Sequence, residues 1–150
     1  MGKSMPGRDV CVVGGGGHVG LPLALAFAES GLRTVIYDTN RQTVDLIRAG
    51  QMPFTEEGAQ AMLERALERN LLEADDTPEK IADCRHVVLV IGTPVDEHLN
   101  PCFMAIHRAI DGCAEYLRDG QVLILRKGRP VPAADMRGVI RLTTAGKDPA

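Results

Sequence analysis

Four short runs of the chain are apolar at nearly every position: Val10-Cys11-Val12-Val13, Thr34-Val35-Ile36-Tyr37, His86-Val87-Val88-Leu89-Val90-Ile91 and Gln121-Val122-Leu123-Ile124-Leu125. They are rich in β-branched residues and do not alternate with polar ones, which predicts strands covered on both faces. The stretches between them carry helical spacing. Leu21 to Ser30 is rich in Ala and Leu, with Gly31 as its stop. Arg41 to Ala49 places Val44, Ile47 and Arg48 at helical spacing and ends at Gly50, and Glu56 to Asn70 holds a one-sided stripe of Ala59, Met62, Leu63, Ala66 and Leu67. Thr77-Pro78 reads as a cap followed by proline at the first position of a short helix before Cys84. Phe103 to Leu117 reads as another helix, with Ile106, Ala109, Ile110 and Cys113 on one side. Strands alternating with helices predict βαβ units, a parallel sheet and right-handed crossovers. The expected fold is therefore α/β, a doubly wound parallel sheet with helices on both faces.

At the ends the pattern fades. Residues 1–8 are polar with Gly and Pro and read as a disordered leader, leaving 9–126 as one domain. Residues 127–150 hold Arg129-Pro130-Val131-Pro132, several Gly and little periodicity beyond Met136 to Leu142, and are expected to be a divergent, partly ordered tail.

Composition narrows the function classes. The chain has 150 residues, enough for one domain with a real core, and 45% apolar with 25% charged residues is a globular mixture that excludes disorder. Seventeen basic against twenty acidic side chains leave a net charge of −3, so no electrostatic footprint for nucleic acid or an anionic membrane is present. No apolar run approaches the roughly 20 residues of a membrane-spanning helix. Cys11, Cys84, Cys102 and Cys113 form no CxxC pair, and His18, His86, His98 and His107 are scattered. A disulfide scaffold or zinc module is thereby disfavoured, and a reduced, cytoplasmic setting is expected.

The chemistry concentrates at Val12-Val13-Gly14-Gly15-Gly16-Gly17-His18-Val19-Gly20-Leu21. Read as GxGxxG, the key positions are Gly15, Gly17 and Gly20, set between an apolar strand and an Ala/Leu helix as a Rossmann-like fold requires. Gly15 would permit the tight turn, Gly17 the close approach of a pyrophosphate, and Gly20 close packing of helix on strand. Unpaired N–H groups at that helix start, around His18 and Val19, suit a diphosphate. Asp38 follows the second strand, placed to accept hydrogen bonds from an adenosine ribose and to repel a 2′-phosphate, so NAD is expected over NADP. Arg41, three residues on, would partly offset that repulsion. The plainer alternative is a flexible strand-end loop with Asp38 as a surface turn residue. A second constellation, Gly92-Thr93-Pro94-Val95-Asp96-Glu97-His98-Leu99-Asn100-Pro101, follows the third apolar run, where open α/β sheets place ligands. Gly92 would admit a close backbone approach, Thr93 would reach a cofactor phosphate or ribose, and Pro94 would stiffen the turn. The adjacent Asp96, Glu97 and His98 read as solvated loop charge, since neighbouring loop residues diverge in direction.

Together, Gly15 to Pro22, Tyr37-Asp38, Gly50-Gln51-Met52-Pro53-Phe54-Thr55-Glu56-Glu57-Gly58 and Gly92 to Glu97 resemble the UDP-glucose/GDP-mannose dehydrogenase family, specifically its N-terminal NAD-binding domain. The resemblance covers about Asp9 to Arg126, and the wording from Asp96 to Pro101 looks most like bacterial members acting on UDP-N-acetylhexosamines or UDP-glucose. It implies oxidation of a UDP-sugar C6 alcohol to a carboxylate with two NAD, through a cysteine-bound thiohemiacetal and thioester assisted by lysine, asparagine and aspartate. It also implies a homo-oligomer, built largely through a central helix and domains that follow this one. Three positions depart from the family pattern. His18 stands where tyrosine is frequent, Cys102 where aspartate follows Asn-Pro, and Lys127-Gly128-Arg129-Pro130 where a Ser-Thr-Val-Pro-type turn is usual. No segment matches the motifs of the catalytic cysteine and lysine, so full turnover is not expected of these 150 residues alone and no catalytic residue is assigned. The alternatives are a non-catalytic dinucleotide-binding module, another dehydrogenase class, and a SAM-dependent methyltransferase sharing the glycine loop and ribose-binding acid.

Overall fold

A computed structural model describes residues 7–91, 110–127 and 140–143. Six strands, β1 (Arg8–Val13), β2 (Thr34–Tyr37), β3 (Leu72–Asp75), β4 (Cys84–Ile91), β5 (Val122–Lys127) and β6 (Ile140–Thr143), form one sheet in the order β3-β2-β1-β4-β5-β6. The pairs β1–β2, β2–β3, β1–β4 and β4–β5 are parallel, and β6 joins β5 antiparallel. The chain winds outward from β1 through β2 to β3, then returns to the other side of β1 as β4. The strand order reverses between β1 and β4, and at such a switch point an open sheet leaves a crevice at its carboxyl ends.

Helices α1 (Gly20–Glu29), α2 (Arg41–Arg48) and α3 (Ala59–Glu68) cover one face. Leu21, Ala24, Leu25, Ala28, Val44, Ile47, Leu63 and Ala66 pack there against Val10, Val12, Ile36, Ala74 and Val88. On the other face Cys11, Val13, Val35, Val87 and Leu89 meet Ile81, of the 3-10 helix Glu79–Asp83, and Cys113, of the helical residues 110–114. Consecutive residues of β1 thus enter opposite cores, which is why its sequence is apolar throughout. The doubly wound α/β reading holds, with β6 the antiparallel addition. Among the described residues no helix is long and apolar enough to cross a membrane.

Cys11, Cys84 and Cys113 are all buried free thiols of the second core. A hydrogen bond with Cys84 and then burial push the Cys11 thiol well above its ordinary value, and burial pushes Cys113 up as well. These thiols behave as small hydrophobes.

The structure departs from the local sequence pattern at four places. Strand β3, Leu72-Glu73-Ala74-Asp75, carries too few apolar residues to read as a strand. It forms because Leu72 and Ala74 enter the core while Glu73 and Asp75 find cations. Lys80 bridges Glu73 at 3.2 Å and Asp75 at 3.3 Å, and Arg8 also pairs with Glu73. Arg48 pairs with Asp75 and donates from Nε to the Ala74 carbonyl at 2.8 Å, occupying an acceptor of the edge strand. The Thr77 N–H and hydroxyl both go to Asp75 Oδ1, at 3.2 and 3.0 Å. Thr77 is therefore not a helix cap; Pro78 takes that position and the segment is a short 3-10 turn. Helix α3 begins at the first residue of its stripe, Ala59, and not at Glu56 as expected, because Gly58 at φ 78° and the Ala59 N–H to Glu56 carbonyl bond turn the chain just before it. Strand β6 lies in the 127–150 stretch, where the pattern predicted no strand.

Candidate functional site

The glycine turn leaves β1 at Val13 and enters α1 at Gly20. Its inner half hangs from the end of β2: the Gly14 and Gly15 N–H groups both donate to the Tyr37 carbonyl, at 2.8 and 3.4 Å. The left-handed residue of the turn is Gly14, at φ 81°, where a Cβ would also run into the Val90 carbonyl. The tight-turn role expected of Gly15 falls to Gly14. Gly15 is needed for a different reason, since a Cβ there would lie 2.8 Å from Ile36 Cγ2. Gly20 does what was expected of it. A side chain there would meet the Gly14 carbonyl and come within 2.8 Å of Gly15 Cα, so α1 can approach the strand end only without one. Gly17 is exposed, and among the described residues a Cβ there would have only the Gly14 carbonyl within 4 Å, at 3.8 Å.

Among the described residues none completes the start of α1. Val19 is the N-cap residue, makes no side-chain cap bond, and no acidic residue stands in the first turn. Among the described residues nothing accepts from the N–H groups of His18, Val19 or Gly20. Unpaired donors carrying the positive end of the helix dipole form a seat for an anion.

Asp38, half-buried just beyond β2, faces this turn. Its Oδ2 accepts the Gly16 N–H at 2.9 Å and its Oδ1 the Asn40 N–H at 2.9 Å. An ionised carboxylate offers about four acceptor positions, so lone pairs remain for a vicinal diol. Among the described residues no cation pairs with Asp38, which leaves its charge free to reject a second anion. Arg41 is largely exposed, with Nε 3.9 Å from Asp76 Oδ2, and does not bridge to Asp38.

One contact escaped the sequence reading. His18 stacks on Phe54, ring centroids 4.1 Å apart and planes 21° apart. The signal that could have found it lay in the segment from Gly50 to Gly58, which carries Phe54. Gly15, Gly17, His18, Val19 and Gly20 thus lie on one turn with Asp38 bonded to it, and Arg41 stands at the start of the adjoining α2. Gly92, Thr93 and Pro94 lie outside the described residues. Strand β4 runs toward them, and its Val90 carbonyl already borders Gly14.

A helix that leaves its first donors free, beside an acid ending the neighbouring parallel strand, is how a Rossmann domain takes a dinucleotide, and that is the class of this molecule. Comparison with known proteins carries the assignment further. Residues 8–147 match the UDP-glucose/GDP-mannose dehydrogenase family, NAD binding domain, and the chain belongs to that family. The match runs past Arg126, where the motif resemblance ends. The chain is 32% identical over 126 residues to the UDP-N-acetyl-D-mannosamine dehydrogenase of Campylobacter jejuni, covering 83% of this chain and 30% of that protein. It is 29% identical over 138 residues to the UDP-glucose 6-dehydrogenase of Pseudomonas aeruginosa, covering 91% and 30%. Among solved structures, the UDP-D-ManNAc dehydrogenase from Pyrococcus horikoshii superposes with a TM-score of 0.75 at 26% identity, over 86% of this chain and 30% of that one. The chain spans about 30% of the length of the relatives it matches. Its cofactor is NAD, as the matched domain states, and the free donors with the Asp38 acceptor fit that molecule.

Proposed function

We propose that this domain holds NAD for a nucleotide-sugar dehydrogenase that oxidises the C6 alcohol of a UDP-sugar, UDP-glucose or a UDP-N-acetylhexosamine, to a carboxylate. The observation that carries the reading is the set of N–H groups at His18, Val19 and Gly20 that no described residue accepts from, beside an Asp38 carboxylate with acceptor capacity to spare. His18 and Val19 would receive the diphosphate, with Gly15, Gly17 and Gly20 keeping side chains out of its way. Asp38 would accept the adenosine ribose hydroxyls and disfavour NADP. Arg41 would border the ribose, and Gly92, Thr93 and Pro94 would approach the cofactor from the end of β4. When bound, NAD supplies the two-electron acceptor, so a four-electron oxidation uses two of them. The relatives named as acting on UDP-sugars support the substrate class. A reduced cytoplasmic setting accords with the free thiols of Cys11, Cys84 and Cys113. The net charge of −3 accords with a small-molecule site rather than a nucleic-acid or membrane surface, and assembly as a homo-oligomer would follow the family.

The test is a titration with NADH and NADPH followed by fluorescence or calorimetry. NADH is expected to bind well above NADPH, and Asp38→Ala to weaken NADH by about 10- to 100-fold, the loss of a charged acceptor. Unchanged NADH affinity in that variant overturns the site assignment. NADH formation from UDP-glucose or UDP-N-acetylmannosamine, measured by absorbance in the enzyme carrying this domain, tests the substrate class.

A further inference from the structure

We propose that Phe54 is a positioning residue for the cofactor: its stack on His18 holds the outer half of the glycine turn in the shape that aims the free N–H groups at a diphosphate. The proposal rests on the NAD reading above and adds to it a residue outside the glycine motif.

The two halves of the turn are anchored unequally. The inner half, Gly14 to Gly16, is held by three hydrogen bonds, two to the Tyr37 carbonyl and one to Asp38 Oδ2. Among the described residues, the outer half, Gly17 to Val19, has only the Gly17 N–H reaching the Gly14 carbonyl at 3.4 Å, and its carbonyls serving the first turn of α1. Val19 packs partly on the first core, while the His18 side chain stands exposed and contacts Phe54. Among the described residues, the N–H groups of His18 and Val19 have no acceptor.

Phe54 is a suitable anchor because it is itself fixed. It is half-buried against the first core together with Met52. Its segment is clamped by Gln60, whose Nε2 donates to the Gly50 carbonyl at 2.6 Å and whose Oε1 accepts the Met52 N–H at 3.0 Å. Near-parallel rings at a 4.1 Å centroid distance tie the exposed imidazole to this clamped segment. A turn held in its binding shape loses less freedom when a ligand arrives, and that difference appears as affinity. The Asp38 end of the site is held by its own hydrogen bonds and does not depend on the stack.

The experiment titrates wild type, Phe54→Ala and Phe54→Tyr with NADH, ADP-ribose and adenosine, with thermal melts alongside. Phe54→Ala is expected to weaken NADH and ADP-ribose by roughly three- to tenfold, the range one aromatic pair spans. Adenosine, which lacks the diphosphate, is expected to bind unchanged, and Phe54→Tyr to restore both larger ligands. Equal NADH affinity in wild type and Phe54→Ala overturns the proposal, as does an equal loss for all three ligands or a failure of tyrosine to rescue. Where Phe54→Ala does not fold, His18→Ala removes the stack from its exposed side and is expected to show the same ligand pattern. Where both single variants fold, the double variant is expected to lose no more than the larger single loss, and multiplicative losses overturn the coupling. A folded wild type that binds neither NADH nor ADP-ribose removes the NAD reading itself, a result distinct from any of these.

Discussion

Helices α1 and α2 start on either side of Asp38, and they complete their first turns in different ways. At α2, Asn40 sits in the extended region at φ −80° and ψ 97° and accepts the Thr43 N–H at 3.2 Å through its side chain. Its own N–H goes to Asp38, and at the far end Arg48 reaches the Ala74 carbonyl and Asp75. At α1 the corresponding residue is Val19, in helical conformation, with no side chain to offer and no acid in the turn that follows. A side-chain cap contributes about 1 kcal/mol, which α1 forgoes. One helix start is finished by a side-chain cap, and among the described residues the other is not. Asp38 joins the two, one carboxylate oxygen on each side.

That contrast breaks most visibly at the close approach of α1. Gly20→Ala places a methyl group against the Gly14 carbonyl and Gly15 Cα, both backbone and unable to move aside cheaply. The expected cost is about 3 kcal/mol, a fall of roughly 6–12 °C in melting temperature, with NADH binding lost. Gly17→Ala separates ligand from fold at the same turn. Its side is open among the described residues, so stability should stay within about 0.5 kcal/mol while NADH affinity falls about tenfold. Paired melts and titrations check this, and a large loss of stability would show that Gly17 serves the fold.

On the α2 side the effects should be structural and smaller. Asn40→Ala removes the cap and should lower stability by about 1 kcal/mol in urea unfolding. The smallest effect concerns the ion pairs beyond the far end of α2. Hydrogen bonding from Arg8 holds Glu73 below the ordinary glutamate range against the opposing effect of burial, with Lys80 assisting. At Asp75 burial pushes upward, and the Thr77 hydrogen bonds with the Lys80 charge outweigh it. Carboxylates with depressed values contribute stability that is complete above their unfolded values and is lost as pH falls through their folded ones. The gap in urea midpoint between wild type and Glu73→Gln should therefore be present at about pH 7 and shrink toward about pH 3. A gap that persists unchanged in acid would assign the loss to packing.

Much of this organisation was legible from local pattern. Apolar runs without alternation marked β1, β2, β4 and β5, and the Ala/Leu stretch after the glycines marked α1. Position alone, just past the second strand, marked Asp38. Less was legible where a residue's partner lies far along the chain. Leu72-Glu73-Ala74-Asp75 looks like a loop until Arg8, Lys80 and Arg48 are brought beside it. Thr77 looks like a cap until Asp75 claims its hydroxyl.

By itself the sequence determined the α/β class, the glycine turn and the acid that follows it, because strand burial, helix spacing and turn chemistry are written in neighbouring residues. Only the tertiary structure decided that Gly14 rather than Gly15 takes the left-handed conformation, that the Gly16 N–H ends on Asp38, and that Phe54 meets His18. Each of these depends on which strand and which connecting segment the sheet order sets beside the turn, and no local propensity encodes that order.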